Sequence, residues 1–219
     1  IDMAQVEGIF ISHEHSDHIA GLQQLLKRFD IPVYTKQGTW REIQDKLVVP
    51  KNQLIELTKG SLTLGNLIVE PFAVSHDAAD PIGINVFSGN DKATVVTDTG
   101  IISDDILHRL DDSTLLVLEA NYDPHMLRFG PYQPFLKQRV ASDEGHLSNE
   151  MAAQALLMMK RPDFMQVILA HRSENNNNAV LVTQTIGKML VDGGVRIGPE
   201  MKLQHGQPNE IVSMQSVKR

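Results

Sequence analysis

The hexapeptide His13-Glu14-His15-Ser16-Asp17-His18 constrains this chain more than any other stretch. It follows the apolar run Val6-Glu7-Gly8-Ile9-Phe10-Ile11, which alternates loosely and is rich in β-branched and aromatic residues, so a strand is predicted to stop where the histidines begin. Three imidazoles and the Asp17 carboxylate cannot all face one way on a strand or a helix. A loop must wrap them around something, and neutral imidazole and carboxylate are the ligands that suit zinc, manganese or iron. His13 and His15 reach one ion from a turning backbone; Asp17 and His18 then point elsewhere and suggest a second ion close by. A lone His-x-His is as readily an accident of a polar surface loop, but the full pattern behind a strand is not.

The same arrangement recurs along the chain. Strand-like runs at 67–74, 93–97, 114–118 and 166–170 end at His76, Asp98, Glu119 and His171. Polar residues serving a core would be scattered along strands, so their gathering at strand ends points to a shared site along one sheet edge. Further strand-like segments lie at 31–34, 53–57 and 61–65, the last two in meander spacing with 67–74, and the Pro81 and Gly83 breakers mark 78–83 as a turn. Amphipathic helices are predicted at 19–29, from Thr39 as a cap through Trp40 to about 47, at 103–110, at 148–159 with Ser148 as N-cap, and at 179–191. Residues 175–178 read as a polar loop leading into the last helix. A hairpin across Gly198-Pro199 is expected to close the chain. The sum is an α/β architecture of two stacked sheets with helices outside, in a single domain spanning 1–219.

Composition narrows the function classes. A chain of 219 residues with 42% hydrophobic and 21% charged residues can bury a substantial core. No apolar stretch is long enough to cross a bilayer and no basic, apolar leader opens the sequence, so neither a membrane partner nor secretion is expected. The absence of cysteine rules out thiolate ligation, leaves nitrogen and oxygen ligands, and fits a cytoplasmic protein. A net charge of −7 argues against nucleic-acid binding by the whole surface, so such a substrate needs local positive charge. One segment offers it: from Pro124 to Ser142 there is no acidic residue, and Arg128, Lys137 and Arg139 interleave with Phe129, Tyr132 and Phe135. Such a segment either follows a phosphate backbone and stacks on bases or is a packed surface loop whose aromatics fill the core. Trp40 is expected in the core, and His108 and His205 in solvent. His125 lies close to the Glu119 strand end, within reach of a contact behind the site.

Through H-E-H-S-D-H and the stretches HSDHIAG, SHDAADPIG, TDTG, LEANYD, LKQRVASDEGHLSNE and AHRSENNNN in this order, the chain resembles the metallo-β-lactamase fold hydrolases. Within them it is most similar to the YycJ/WalJ-like exonuclease branch related to RNase Z. The resemblance covers nearly the whole chain. It implies an αββα sandwich, and it implies additional N-terminal strands in relatives that are missing from this sequence. It also implies two divalent ions, zinc or manganese with iron possible: one held by His13, His15 and His76, the other by Asp17, His18 and His171, with Asp98 bridging. Each ion keeps an open position, and the pair would acidify a shared water to a bridging hydroxide, with Asp17 able to accept its proton. Glu119 and His146, in Gly145-His146-Leu147-Ser148, match a carboxylate-oriented histidine that faces the phosphate, stabilising charge or protonating the leaving oxygen. Arg128, Lys137, Arg139, Ser148, Arg172 and Asn175 are the candidate substrate contacts. The implied function is a metal-dependent phosphodiesterase, a DNA exonuclease of 5′-to-3′ polarity. The alternatives are another hydrolase on this fold, acting on a thioester or a small phosphodiester, a diiron redox protein, or a non-catalytic metal-stabilised DNA-binding or regulatory module. The Glu119/His146 pair favours phosphate over a thioester.

Overall fold

The computed structural model describes residues 2–58, 60–207 and 210–213. The apolar run before the hexapeptide supplies a short strand, β1 (Ile9–Phe10), which starts a three-stranded parallel sheet with β2 (Val33–Thr35) and β3 (Leu54–Glu56) in the order β1-β2-β3. Parallel neighbours require crossovers. These are α1 (Ser16–Ile19) and α2 (Leu22–Leu26) after β1, and α3 (Gln37–Gln44) after β2. Ile19, Leu22, Leu26, Trp40 and Ile43 from those helices bury one face of the sheet together with Ile11 and Val33.

The second sheet has seven strands. β4 (Leu62–Leu64), β5 (Leu67–Ala73), β6 (Ile82–Ser88) and β7 (Asp91–Val96) form an antiparallel meander; β8 (Leu115–Glu119), β9 (Met165–Ala170) and β10 (Met201–His205) continue it in parallel, giving the order β10-β9-β8-β7-β6-β5-β4. Between β7 and β10 run α4 (Asp104–Leu110), α5 (Pro124–Phe129), α6 (Pro134–Val140), α7 (Asn149–Met158) and α8 (Ala179–Asp192). Strand alternation sends Val96, Leu116, Leu118, Val167 and Leu169 into one core with Ile106, Leu110, Leu156, Ile186 and Leu190 of α4, α7 and α8. On the opposite face Ile82 and Ile84 meet Phe10, Tyr34, Leu62 and Leu64, with Phe10 and Tyr34 stacked at 4.9 Å, so the two sheets pack on each other. Helices, sheet, sheet and helices stack in the αββα order expected.

Several local readings are corrected. The segment 53–57 leaves the meander: Pro50 and a 3-10 turn at Lys51–Gln53 lay β3 alongside β2, where Leu57 N donates to Thr35 O at 2.8 Å. Strand β6 was not expected: the turn read at 78–83 from Pro81 and Gly83 overlaps only its first two residues, and within the strand Asn85 is buried and accepts a hydrogen bond from Thr94 Oγ1 at 2.8 Å. The helix expected at 19–29 breaks at Ala20-Gly21 into α1 and α2. Thr39 lies inside α3 and donates to Asp80 O at 3.2 Å, while Lys36 holds the cap position with no side-chain bond. The expected C-terminal hairpin does not form, since the α8 crossover delivers β10 parallel to β9, with Met201 opposite Met165. Ser103, Ser148 and Asn178 do cap α4, α7 and α8. Among the described residues no helix is long and apolar enough to cross a membrane.

Lys92 shows what the helix layer demands of the sheet. Its buried ammonium donates to Arg109 O at 2.8 Å and Asp111 O at 2.7 Å, satisfying carbonyls that the end of α4 leaves without partners. Lys92→Met keeps the stem and removes the donors, so it should lower unfolding stability by about 1.5–3 kcal/mol in urea titrations; an unchanged midpoint would show that water serves those carbonyls equally well.

Candidate metal centre

Strand direction brings the polar strand ends together. β7, β8 and β9 are parallel, and β5 shares their direction through two antiparallel steps, so His76, Asp98, Glu119 and His171 emerge at one edge of the sheet. Asp98 and His171 stop their strands abruptly by taking left-handed backbone conformations, φ 55° and 51°. Side-chain-bearing residues adopt that conformation at a cost of about 1–3 kcal/mol and do so where a site demands it. Gly100 and Gly145 let the loops carrying Asp98 and His146 approach closely: a Cβ on Gly100 would lie 2.3 Å from Ser142 O, and one on Gly145 2.2 Å from Arg139 O.

The imidazoles are turned by their outer nitrogens. Ser12 Oγ lies 3.1 Å from His13 Nδ1 and 3.3 Å from His18 Nδ1, and His76 Nδ1 donates to Gly145 O at 3.0 Å. The Nε2 atoms of these three rings remain for the interior of the site. His15 is turned the other way, with Nδ1 3.3 Å from His76 Nε2. Asp98 Oδ2 is 3.3 Å from His18 Nε2, while Asp98 Oδ1 is 3.4 Å from His171 Nε2 and 3.7 Å from His76 Nε2. Asp17 Oδ2 stands 3.5 Å from His18 Nε2 and 3.6 Å from His171 Nε2.

These separations exceed a charge-assisted hydrogen bond, roughly 2.7–2.9 Å. They match the edge of a tetrahedron of ligands around one ion, roughly 3.3 Å for bonds of 2.0–2.1 Å. Among the described residues His13 Nε2 and Asp98 Oδ2 are also buried with no hydrogen-bond partner, a costly state that a cation would relieve. The donor atoms of His13, His15 and His76, of His13, His18 and Asp98, and of Asp17, His18 and His171 each lie within 4.8 Å of one another. The residues present therefore fit two cations with Asp98 between them.

Glu119 holds the far side of the cluster. Its carboxylate is fully buried; Oε1 accepts from His146 Nδ1 and His171 Nδ1, both at 2.8 Å, and Oε2 from Thr99 N at 3.3 Å and Leu147 N at 3.2 Å. The sequence paired Glu119 with His146 alone; the structure makes it the common anchor of His146 and the metal-facing His171. Burial opposes its charge, but hydrogen bonds from the two histidines outweigh burial and keep Glu119 ionised. Burial, with His18 next to it, pushes His13 down to about 3, so this ring is a neutral ligand. Burial lowers His76 as well. His171 goes the other way: burial opposes charge, yet Glu119, Asp98 and Asp17 raise it to about 9. Desolvation works against the Asp98 and Asp17 carboxylates, and in both the neighbouring imidazoles hold them below the ordinary range.

A cavity of about 280 Å³ over the cluster is lined by His15, Asp17, Asp98, Arg139, His146 and His171. A larger one of about 660 Å³ shares Arg139, His146 and His171 and is bounded by Tyr132, Leu136, Arg172 and Asn175. Arg172 and Asn175 thus line this larger cavity, and Arg172 Nη1 is buried without a partner among the described residues. Arg139 lines both cavities, but its guanidinium is gripped at Nε and Nη2 by the Asp77 carboxylate. Ser148, expected among the substrate contacts, is buried outside the lining of both cavities, and its hydroxyl oxygen accepts from Met151 N at 3.2 Å as the cap of α7. Lys137 Nζ turns to Arg128 O at 2.8 Å, and Arg128 lies over the Phe129 ring, both outside the cavities. His125 packs on Phe129 at 4.6 Å instead of reaching behind the site, and His205 is half-buried, with Nε2 2.9 Å from Thr183 Oγ1, where solvent was expected.

Four supporting residues were missed. Ser12, Glu14 and Asp77 adjoin ligands in sequence, which was the available signal; Glu14 is buried and accepts from Ala79 N at 2.8 Å. Asn121, whose Nδ2 donates to His171 O at 2.8 Å, lies in the LEANYD stretch two residues after Glu119, but its partner is 50 residues away.

Comparison with known proteins places this geometry. Residues 1–171 match the family model described as a beta-lactamase superfamily domain. The chain belongs to the metallo-β-lactamase superfamily and is a metal-dependent hydrolase. It is 34% identical over 219 residues to the exodeoxyribonuclease YycJ of Bacillus anthracis, covering 99% of this chain and 83% of that protein. It is 32% identical over 209 residues to the exodeoxyribonuclease WalJ of Streptococcus pneumoniae, covering 93% and 77%. Among solved structures, the metallo-beta-lactamase fold protein YhfI of Bacillus subtilis superposes with a TM-score of 0.68 at 15% identity, covering 94% of this chain and 77% of that one.

The opposite shifts of His13 and His171 separate the two ion sites by pH. An ion at the Asp17, His18 and His171 donors must displace a proton from His171, so affinity there should rise with pH up to about 9, more steeply than at the His13, His15 and His76 donors. Calorimetric metal titrations at several pH values check this, and equal proton release for both ions contradicts it. In the metal-free protein the same shift stabilises the fold fully below 6.5, the ordinary histidine value, and is lost as pH rises through about 9. His171→Gln should flatten that decline in unfolding free energy.

Proposed function

We propose that this hydrolase is a two-metal phosphodiesterase that removes nucleotides from DNA ends, 5′ to 3′, in the cytoplasm, with residues 1–219 acting as one domain. The observation that carries the reading is the Glu119–His146 contact at 2.8 Å, which fixes one imidazole at the rim of the donor cluster with its Nε2 free and its ring facing the cavity. A site built only to hold ions has no use for that ring. The names of YycJ and WalJ support the same chemistry and the choice of DNA.

His13, His15 and His76 would hold one cation and Asp17, His18 and His171 the other, with Asp98 shared; zinc or manganese suits these donors, and iron is compatible. Such a pair supplies an acidified water and neutralises charge on a phosphodiester. The chain's own groups do the rest. Asp17, ionised and 64% exposed at the rim, accepts a proton from the attacking water. His146, oriented by Glu119, hydrogen-bonds a phosphate oxygen and delivers a proton to the leaving one. Arg139, held in place by Asp77, sets a fixed positive charge at the mouth, and Arg172 and Asn175 line the path of the neighbouring nucleotide. A thioester would develop negative charge at one oxygen and leave this arrangement of donors unused.

End-labelled single- and double-stranded DNA and RNA, incubated with metal-loaded protein, test the substrate and the end attacked. His146→Ala should leave two bound ions in place while slowing cleavage by about two orders of magnitude. Unchanged turnover would remove His146 from the reaction, and absence of any cleavage by the unaltered chain would leave a metal-stabilised binding module as the better account.

A further inference from the structure

The segment 124–142 answers its two sequence readings by dividing its aromatics. It folds as α5 and α6, each opened by a proline in its first turn, and Tyr132 and Leu136 pack on a small core of Tyr122, Leu127 and Val140. Phe129 and Phe135 stay outside that core, 67% and 71% exposed, at the end of α5 and the start of α6. Two phenylalanines displayed six residues apart on an ordered, proline-stiffened hairpin are an unsatisfied apolar surface, and the charge around them says what covers it.

The Arg128 guanidinium lies 5.3 Å from the Phe129 ring centroid, and the His125 ring is 4.6 Å from the same centroid. Lys137 is tied to the Arg128 carbonyl, which gathers a second cation at the same place. Among the described residues no carboxylate forms an ion pair with Arg128 or Lys137, on a chain whose net charge is −7. The same helical pair reaches the centre: Tyr132, between Phe129 and Phe135 in sequence, and Leu136, next to Phe135, line the larger cavity together with His146 and His171.

We propose that Phe129 and Phe135 form a stacking platform for single-stranded nucleic acid, with Arg128 and Lys137 meeting its phosphates, and that this platform feeds the strand into the cavity at the metal centre. Aromatic side chains stack on any base, so the platform is tolerant of sequence. It selects single strands because a duplex hides its base faces in its own stack. The inference rests on the nuclease reading for its direction of travel, but not for binding.

The test is the double variant F129A/F135A, whose exposed positions leave the fold intact and whose melting temperature should match that of the unaltered chain. Hydrolysis of bis(p-nitrophenyl) phosphate, which needs only the metal centre, should stay within about twofold. Affinity for a fluorescent oligothymidylate, measured in a His146→Ala background to limit cleavage, should fall about tenfold or more. Affinity for blunt duplex should hardly change, and F129W/F135W should retain single-strand binding. Equal oligothymidylate affinity with and without the two rings overturns the platform, as does an equal loss for single strand and duplex, or phenylalanine-dependent binding to lipid vesicles in place of DNA. Ring-dependent binding by a chain that cleaves no nucleic acid upholds the platform and refutes the nuclease reading.

Discussion

One buried carboxylate, Asp98, organises the centre. It faces His18, His171, His76 and His146 at 3.3, 3.4, 3.7 and 3.8 Å, from a left-handed turn at the end of a central strand. Four imidazoles around one anion is an electrostatically lopsided arrangement for a folded core: the rings repel one another when protonated and strand the carboxylate when neutral. Cations would resolve it, because His18, His76 and His171 as neutral rings and an ionised Asp98 could then all serve as ligands, while His146 is held by Glu119. The local strain at Asp98 and His171, the close passage allowed by Gly100 and Gly145, and the unpartnered His13 Nε2 are consequences of building for that outcome.

Glu119 is the structural counterpart on the dry side. A fully buried carboxylate is tolerable because four donors meet it, and two of those donors are rings with distinct duties. Holding His171, among the donors of the cluster, and His146, at the cavity rim, through the same oxygen couples their positions, so a shift of one loop moves both. The Asp77–Arg139 pair does similar work at the rim, tying α6 to the residue after His76. The centre is thus bound into one network from the strand ends out to the basic hairpin.

Much of this was legible in the sequence for a physical reason. A strand that ends in a histidine or acid is a local pattern, and parallel strands carry their ends to one edge, so His76, Asp98, Glu119 and His171 were readable before any coordinates. Capping by Ser148, the one cap read among the starts of α4, α7 and α8, is likewise local. What could not be read depended on distant partners. Strand β6 went unread, and the group that satisfies its buried Asn85, the Thr94 hydroxyl, comes from the next strand. The parallel placement of β3 and β10 is set by which edge the preceding segment packs against, which no short pattern records. Ser148 looked available for substrate by its place in the Gly-His-Leu-Ser stretch, yet a good N-cap spends its oxygen on the helix. The second role of Glu119 was hidden because His171 is 52 residues away.

Asp98 would matter for its charge, shared between two cations. Asp98→Asn preserves size and shape and removes that charge. Metal content by plasma mass spectrometry, on protein stripped and reloaded under identical conditions, is the direct measurement. The account predicts about two equivalents for the unaltered chain and one or fewer for the variant; two equivalents retained by Asp98→Asn, or none in the unaltered chain, would contradict it.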